Sequence, residues 1–427
     1  MSDRALSIAA AAAEHPDALA LVTDDGVTSF AELAAEVAAY QTSVPVDAHA
    51  RPLIARLDRA TVVAILAALD DRAPLGLIPD RATAAEQADF AARLAAAPVP
   101  ADTLAVVFTT GSTGRPKGVV LSRAAALGAA EASAARLGWR VDDRWLLSLP
   151  LAHVSGLAIV VRCLHARRPI VLGSGPLAAL LARHEVTLAS LVPSQLAALV
   201  ADPAWLPPSS LRAVLLGGAA ASPTLVSAAR ARGVPVHTTY GMTETFGQVA
   251  TGDATTPSGA IGPALPGVII RTGSRARPLP IVVDSPTLLT GYLDEPGPSL
   301  ADGFVTRDLG FVDGGVLHVV GRTDDVIITG GENVHPLAIE AALVELPGLV
   351  AAAVVGLEDD LWGQVLAALV VPGPGAGADA LDAAIRAANA DWPAHHRVRR
   401  WLVVDALPLG ASGKLDRRAA AARFSGS

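Results

Sequence analysis

The chain has 427 residues and a mass of 43.3 kDa, a length that favours two domains over a single hydrophobic core. A net charge of −8 and an isoelectric point near 5.7 argue against nucleic acid as the main partner, and no apolar run approaches the roughly 20 residues that a membrane span needs. The single cysteine, Cys163, excludes an intramolecular disulfide framework and is consistent with a cytoplasmic protein.

The first hundred residues are predicted to form alanine-rich helices with short strands such as Ala18–Val22. From residue 104 onward, short β-branched runs alternate with alanine-rich helical stretches. The predicted strands are Leu104–Phe108, Leu146–Leu149, Pro169–Leu172, Leu188–Val192, Ala213–Leu216 and Val234–Thr238. This alternation predicts an α/β fold in which mainly parallel sheets are packed with helices.

Two later changes in composition predict further units. Ile261–Val283 is rich in Gly, Pro and β-branched residues and predicts a smaller β subdomain, and a sharp break follows at Gly321–Asp325. We therefore predict a large N-terminal domain over residues 1–322, a hinge over 323–325 and a small, mobile α+β C-terminal domain over 326–427. The small domain's predicted elements are strands at Val326–Thr329, Val350–Val355, Val365–Val371 and Trp401–Val404 and helices at Pro336–Glu345 and 379–390.

Lysine is nearly absent from this chain. Of the 33 Lys and Arg residues only Lys117 and Lys414 are lysine, and both lie in glycine-bearing loops. A compact ammonium on a flexible stem can follow one oxygen through a reaction, whereas a guanidinium is a wide planar fork. Both positions are therefore candidate functional sites, against the alternative of two surface residues retained by chance.

The loop after the strand Leu104–Phe108 offers hydroxyls, three glycines and a cation within ten residues, which is typical of phosphate binding. A Walker-type loop would need Gly at 116 and Ser or Thr at 118, where this chain has Pro116 and Gly118. We predict a phosphate loop of another kind, against the alternative of a plain polar turn. Its binding residues are Thr109, Thr110, Gly111, Ser112, Thr113, Gly114 and Lys117.

A helix that should be apolar carries a charge. Arg162 interrupts the predicted helix Gly156–Leu164, which follows a loop containing His153. A charge there is costly unless it is paired, and no acid lies nearby in the sequence. An anionic substrate could be its partner, and the alternative is an arginine that reaches the surface or a distant acid.

The stretch Tyr240–Thr245 follows the predicted strand Val234–Thr238. Its aromatic face can stack on a purine, its hydroxyls can reach phosphate or carboxylate, and Glu244 can hold a magnesium ion that bridges phosphates. The alternative is a cap between a strand and a helix.

Two acidic turns come later. Asp308 lies fourteen residues before Arg322, and a carboxylate of this kind commonly holds a ribose diol, although Asp is also an ordinary turn residue. Asp324 lies at the composition break, followed by the permissive pair Gly330 and Gly331, which makes this segment a candidate hinge. The Lys414 loop can act on the same substrate as Lys117 only if the small domain folds over the large one.

From about residue 104 to 418, the order of these five motifs resembles the adenylate-forming superfamily of acyl- and aryl-CoA ligases, luciferases and nonribosomal peptide adenylation domains. The resemblance implies that residues 109–118 bind the ATP phosphates and that Glu244 holds Mg²⁺. It also implies that Lys414 serves adenylation, that Asp324 is the pivot and that Gly330 and Gly331 border a coenzyme A channel. The implied adenosine and α-phosphate contacts are Gly218, Ala219, Ala220, Tyr240, Gly241, Met242, Thr243, Asp308 and Arg322.

Within that superfamily, Gly330–Pro336 resembles the aryl-CoA ligases. The stretches Thr243–Thr245 and Leu149–Gly156, with Gln248 and Arg162, resemble the 2-succinylbenzoate–CoA ligases of menaquinone biosynthesis. The resemblance implies ATP, Mg²⁺ and coenzyme A as cofactor and co-substrates, a small aryl carboxylic acid as substrate, and His153 and Thr243 as catalytic beside Lys414. The implied acid-binding residues are His153, Arg162, Gly217 and Gln248.

The chain departs from the superfamily pattern at Arg307, where Gly is usual, and at Leu279–Val282, where a Gly-Glu-Leu strand is usual. Neither change removes a chemical group. Three alternatives stay open: a ligase for another acid, an adenylation enzyme that loads a carrier protein, and a nucleotide-binding protein without turnover. The sequence does not decide between a monomer and a homodimer.

Overall fold

The structure is a computed structural model that describes residues 2–41, 49–109, 115–373, 375–410 and 415–424. Some of the predicted site residues lie outside these ranges: Thr110, Gly111, Ser112, Thr113, Gly114 and Lys414. Thr109 and Lys117, at the two ends of the predicted phosphate loop, lie within them.

The described elements alternate between strands and helices along most of the chain. The strands are β1 (Leu19–Thr23), β2 (Gly26–Ser29), β3 (Arg51–Ala55), β4 (Leu75–Pro79), β5 (Thr103–Thr109), β6 (Lys117–Ser122), β7 (Trp145–Leu146), β8 (Ile170–Leu172), β9 (Leu188–Leu191), β10 (Ala213–Leu216), β11 (Val236–Met242), β12 (Gly247–Thr251), β13 (Ile269–Arg271), β14 (Leu279–Asp284), β15 (Gly291–Tyr292), β16 (Phe304–Asp313), β17 (Val316–Arg322), β18 (Ile327–Thr329), β19 (Glu332–Val334), β20 (Leu349–Asp359), β21 (Gly363–Pro372) and β22 (Val398–Val403). The helices are α1 (Ser2–Ala5), α2 (Ile8–Glu14), α3 (Phe30–Gln41), α4 (Arg59–Asp71), α5 (Ala84–Ala96), α6 (Arg123–Leu137), α7 (Val154–Ala166), α8 (Leu177–Arg183), α9 (Pro193–Ala201), α10 (Pro223–Ala231), α11 (Pro336–Val344), α12 (Ala378–Asp391) and α13 (Arg417–Ala422), with short 3₁₀ turns at Thr243–Thr245 and Ala394–His396.

Two sheets form the large part of the molecule: the first is mainly parallel, and the second has two parallel and two antiparallel strand pairings. One has eight strands in the order β12-β11-β10-β9-β7-β8-β1-β2, and the other has the order β15-β6-β5-β4-β3. The strands predicted from the β-branched runs are all present, Ala213–Leu216 with the predicted bounds and the others with shifted ends. They could be found because strands covered by helices on both faces are apolar along their whole length. The predicted α/β fold class is confirmed.

The core lies where α4 and α7 pack against these sheets. α4 begins at an N-cap, where the Asp58 carboxylate accepts a hydrogen bond from the Thr61 amide at 2.8 Å. Nine residues of α4 and ten of α7 are buried, so both helices are apolar on nearly every face, as buried helices must be. Within the described ranges, no helix is both long and apolar enough to cross a bilayer.

A third sheet is antiparallel, with the order β13-β14-β16-β17, and confirms the β subdomain predicted around Ile261–Val283. The atypical stretch Leu279–Val282 lies within its strand β14. The register of β16 and β17 places Asp308 directly opposite Arg322. Two residues fourteen apart in sequence are therefore neighbours on one sheet.

The strands after the break at Gly321–Asp325 form a sheet of their own, in the order β19-β18-β21-β20 with β22 beside β21. Helices α11 and α12 contribute to a separate core with this sheet. The elements predicted after residue 326 are present, with shifted ends, while the predicted hinge stays a prediction.

Candidate active site

One rim of the site follows β10, at the carboxyl end of parallel strands, which is where α/β sheets usually bind ligands. A β-carbon at Gly217 would lie 2.7 Å from Cγ2 of Thr239, and Gly218 has a φ of +80°, so glycine is required at both positions. Ala219 and Ala220 continue this segment at the surface. The small side chains leave a flat surface of backbone that can receive an aromatic base.

The motif that begins at Tyr240 was predicted to follow a strand, but Tyr240, Gly241 and Met242 belong to strand β11 itself. The prediction was wrong because β11 gains an antiparallel partner, β12, with a register shift between Tyr240 and Gly241. A β-carbon at Gly241 would collide with the Gly247 carbonyl, so only glycine allows the two strands this close. The 3₁₀ turn that follows presents Thr243 and Glu244, both half-buried.

A continuous set of hydrogen bonds joins three of the predicted nucleotide residues. The Tyr240 hydroxyl donates to Oδ2 of Asp308 at 2.7 Å, and Nη1 of Arg322 donates to Oδ1 of Asp308 at 3.1 Å. Burial, and then the Asp308 carboxylate, raise the pKa of the Tyr240 phenol far above its usual range, so this hydroxyl stays a donor. The carboxylate is thereby fixed in orientation, as a group that binds a ribose diol must be.

The same arginine also holds the predicted pivot. Arg322 donates from Nε and Nη2 to the two Asp324 oxygens at 2.9 Å each, and Arg307 adds a bond from Nη1 at 3.3 Å. Burial would raise the pKa of Asp324, but the Arg322 hydrogen bonds and charge outweigh burial and lower it. The atypical Arg307 thus contacts the Asp324 carboxylate.

Lys117 and Glu244 both contact Tyr292. The Lys117 ammonium is 4.8 Å from the centre of the Tyr292 ring, and the Tyr292 hydroxyl donates to Glu244 at 3.5 Å. Burial, and then Glu244, raise the pKa of Tyr292 to about 12. Lys117 also pairs with Glu295, with Nζ 2.6 Å from Oε2. Thr109 lies opposite Lys117 in the β5–β6 pair, at the mouth of the predicted phosphate loop.

Glu244 fits a magnesium ion that is shared with phosphates. Among the described residues, no group of three or more His, Cys, Asp or Glu side chains is arranged to hold a metal ion. Mg²⁺ is typically held by one or two carboxylates together with substrate phosphates and water. Glu244 provides one such carboxylate, and the Tyr292 hydroxyl links it to the ring over which Lys117 lies, next to the predicted phosphate loop.

Arg162 lies within α7, is 4% exposed, and has no hydrogen-bond partner in the described structure for Nε and Nη2. Its guanidinium lies 5.5 Å from the Trp145 ring centre, and a β-carbon at Gly247 would be 3.7 Å from Nη2. Burial lowers the pKa of Arg162 to about 10, so the side chain keeps its charge at neutral pH. Neither of these two nitrogens, Nε and Nη2, has an anionic partner in the described part of the chain, so burial of the charge is costly.

The other two predicted acid-binding side chains differ in their surroundings. His153 is the N-cap residue of α7, nine positions before Arg162. Gln248 is 8% exposed; its amide oxygen accepts from Ser133 at 3.1 Å and its amide nitrogen donates to Thr251 at 2.8 Å. The Gln248 amide therefore joins α6 to β12, next to Gly247.

Gly330 and Gly331 border an open pocket of about 770 Å³ on the small sheet. Gly330 has a φ of +60°, and its amide donates to the Trp362 carbonyl at 2.8 Å. The Trp362 ring also lines the pocket, and the Arg399 guanidinium lies 4.9 Å from the ring centre. A cation and an aromatic face beside a glycine turn suit a phosphate-bearing ligand.

The stem that carries the Lys414 loop is anchored at its base. Leu409 pairs with Leu415, and the Asp416 amide donates to Pro408 at 2.9 Å. Arg417 then donates to Asp325 at 3.1 Å, to Glu340 at 2.5 Å and to the Val354 carbonyl at 2.8 Å. These bonds tie the base of the loop to the residue that follows the predicted pivot.

Four candidate residues were missed from the sequence: Tyr292, Glu295, Trp362 and Arg417. A weak signal existed for Tyr292 and Glu295, because an aromatic and an acid follow closely after the glycine of β15. Arg417 lies three positions after Lys414, and its role is visible only through Glu340 and Asp325.

Two protein-family models match this chain. A model of the AMP-binding enzyme family matches residues 43–293, and a model of the AMP-binding enzyme C-terminal domain matches residues 338–414. A curated 2-succinylbenzoate–CoA ligase from Geobacillus kaustophilus is 38% identical over 333 residues, covering 73% of this chain and 68% of that protein.

Solved structures agree with the family match. The o-succinylbenzoate CoA synthetase (MenE) from Bacillus subtilis in complex with its acyl-adenylate intermediate OSB-AMP has a TM-score of 0.83 and 28% identity, with 97% of each chain covered. The same enzyme with ATP and magnesium ion has a TM-score of 0.81 and 27% identity, covering 96% of this chain and 98% of that one. The family models span more than half of the sequence, and the chain therefore belongs to the AMP-binding enzymes.

Proposed function

We propose that this chain is an AMP-forming acid–CoA ligase that converts 2-succinylbenzoate, ATP and coenzyme A into 2-succinylbenzoyl-CoA, AMP and diphosphate. The joined set Tyr240, Asp308 and Arg322 supports the nucleotide assignment. One observation carries the choice of acid: the buried Arg162 guanidinium, whose Nε and Nη2 have no hydrogen-bond partner among the described residues and whose charge a second carboxylate of the substrate would neutralise. The names of the curated relatives support the same acid.

In the first half-reaction, a carboxylate oxygen of the acid attacks the α-phosphorus of ATP, and the bond from that phosphorus to the bridging oxygen breaks. The acyl adenylate forms and pyrophosphate leaves. Lys117 and the loop that begins at Thr109 bind the phosphates, Thr243 lies beside the α-phosphate, and Lys414 stabilises the developing charge. Mg²⁺ held by Glu244 supplies further charge neutralisation on the phosphates when it is bound.

In the second half-reaction, the coenzyme A thiol gives its proton to solvent and the sulfur attacks the acyl carbonyl. The bond from the carbonyl carbon to the phosphate oxygen breaks, and AMP leaves with that oxygen. The small domain turns about Asp324, which removes Lys414 from the space that the pantetheine must cross. His153 lies at the mouth of the acid pocket, near the reacting carbonyl. Two domain arrangements are needed because Lys414 in the first half-reaction and the pantetheine in the second occupy the same space.

Replacing Gly330 should impair the second half-reaction alone. A β-carbon there would lie 2.7 and 2.8 Å from two atoms of the Trp362 ring, so Gly330→Ala must displace that ring from the pocket. We expect thioester formation from supplied acyl adenylate to slow roughly 10- to 100-fold, as misplacement by about 1 Å can do. Stopped-flow measurement of each half-reaction separates the two effects.

Gly331→Ala is the matched control. Gly331 has a similar left-handed φ of +82°, but nothing lies within 4 Å of an added β-carbon. Both variants place alanine at a left-handed backbone position, and only Gly330→Ala brings a β-carbon against the Trp362 ring. Equal losses in the two variants would contradict a role for the Trp362 wall.

A panel of carboxylic acids tests the proposed function as a whole. Pyrophosphate release is measured for each acid, and thioester formation is then measured with free coenzyme A. We expect 2-succinylbenzoate to be preferred over aryl acids without the succinyl carboxylate. Preference for an acid with one carboxylate would reject 2-succinylbenzoate as the substrate. Transfer of the acyl group only to a carrier protein would reject coenzyme A as the acceptor. No release of pyrophosphate with any acid would indicate nucleotide binding without turnover.

A further inference from the structure

The lysine of the phosphate loop already has an anionic partner. Nζ of Lys117 lies 2.6 Å from Oε2 of Glu295, and the two residues are 178 positions apart in sequence. The side chains are 25% and 38% exposed, so the pair lies at the open side of the site. The ammonium also lies over the Tyr292 ring, whose hydroxyl reaches Glu244.

The neighbouring charges have partners of their own. Arg93 grips Asp294 with two hydrogen bonds of 2.7 and 2.8 Å, and also donates to the Pro116 carbonyl at 2.9 Å. Arg115 lies 3.8 Å from Asp89. Asp294 thereby fixes the end of β15 to the base of the phosphate loop. Glu295 instead pairs with the Lys117 ammonium, the group that would bind the phosphates.

We propose that Glu295 is a placeholder for the polyphosphate: it pairs with Lys117 when the phosphate subsite is empty, is displaced when ATP binds, and pairs again as pyrophosphate leaves. This inference rests on the proposed nucleotide site. A carboxylate within hydrogen-bond distance of the ammonium repels phosphate oxygens that approach the same group. Glu295 therefore weakens the binding of ATP and of pyrophosphate, and favours release of the product.

The test is a Glu295→Gln variant of the full chain, titrated calorimetrically with MgATP and with magnesium pyrophosphate in the absence of acid and coenzyme A. We expect both dissociation constants to fall by about two- to fivefold, the range that loss of one exposed ion pair produces. The KM for ATP should fall and product inhibition by pyrophosphate should strengthen. Weaker binding would overturn the proposal, because Glu295 would then orient Lys117 for the phosphates. Unchanged binding would also overturn it, because Glu295 would then have no effect on the phosphate subsite.

Two further variants fix the cause. Glu185→Gln removes the same charge from a pair with Arg144, which lies just before β9 in the other sheet and outside the proposed nucleotide residues; it should leave both constants unchanged. In a Lys117→Ala background, Glu295→Gln should have little effect. Equal tightening by Glu185→Gln, or tightening that persists without Lys117, would overturn the placeholder. Failure of the unchanged chain to bind MgATP would reject the proposed function instead, while a different acid specificity would leave these results intact.

Discussion

Lys414→Ala should abolish most adenylate formation while sparing the transfer to coenzyme A. A positioned cation that stabilises transition-state charge contributes roughly 10²–10³ in rate, so pyrophosphate release in a single turnover should slow by about that factor or more. Chemically prepared acyl adenylate should still react with coenzyme A at the normal rate. The reason is geometric: in the proposed second arrangement the lysine lies away from the reacting carbonyl.

Arg417→Lys provides a companion to that experiment. Arg417 anchors the base of the Lys414 loop through Asp325, Glu340 and the Val354 carbonyl, and a lysine cannot reproduce this planar set of bonds. Arg417→Lys should also slow adenylate formation, by less than Lys414→Ala does, and should leave the transfer to coenzyme A unchanged. If Lys414→Ala lowers both half-reactions equally, the proposed division between the two arrangements is rejected.

Arg162→Ala should discriminate between acids more strongly than any other single change in the pocket. Leaving the second carboxylate of 2-succinylbenzoate unpaired in a buried pocket should cost about 2–5 kcal/mol in kcat/KM. An aryl acid without that carboxylate should lose little, because it makes no such pair. Arg162→Lys should recover only a small part, since an ammonium cannot bind a carboxylate in the same planar, two-bonded way.

The control for this prediction is Arg167, five residues later in the chain. Its guanidinium bonds to Glu14 and to the carbonyls of Arg4, Ala5 and Leu164, so it holds the N-terminal helices in place. Arg167→Ala should reduce the folded fraction and lower activity on every acid alike. If Arg162→Ala behaves in that way, Arg162 is structural and the substrate assignment loses its physical support.

The sequence predicted what is local and periodic. Strands such as Ala213–Leu216 are found because both faces are buried and the whole run is apolar. The extension of β11 to Met242 was missed because its partner β12 supplies pairing to residues with little strand preference of their own. Tertiary pairing there overrides the local signal.

Candidate site residues follow the same division. Arg162 could be found because a charge in an apolar helix violates the pattern, and its burial is confirmed. The Lys117–Glu295 pair could not be found, because nothing local distinguishes Glu295 from other exposed acids. The Arg417–Glu340 pair joins the start of α13 to α11, 77 positions away, and no local pattern in the sequence indicates it.

Arg322 divides one guanidinium between two carboxylates, Asp308 and Asp324. A nucleotide whose ribose hydroxyls bind Asp308 must alter how that charge is shared, and a turn about Asp324 must alter it from the other side. Nucleotide binding and the orientation of the small domain would then be thermodynamically linked. The factor by which a nucleotide shifts the equilibrium towards one orientation equals the factor by which that orientation binds the nucleotide more tightly. Release of AMP and the return of the small domain to its first orientation would therefore be coupled steps.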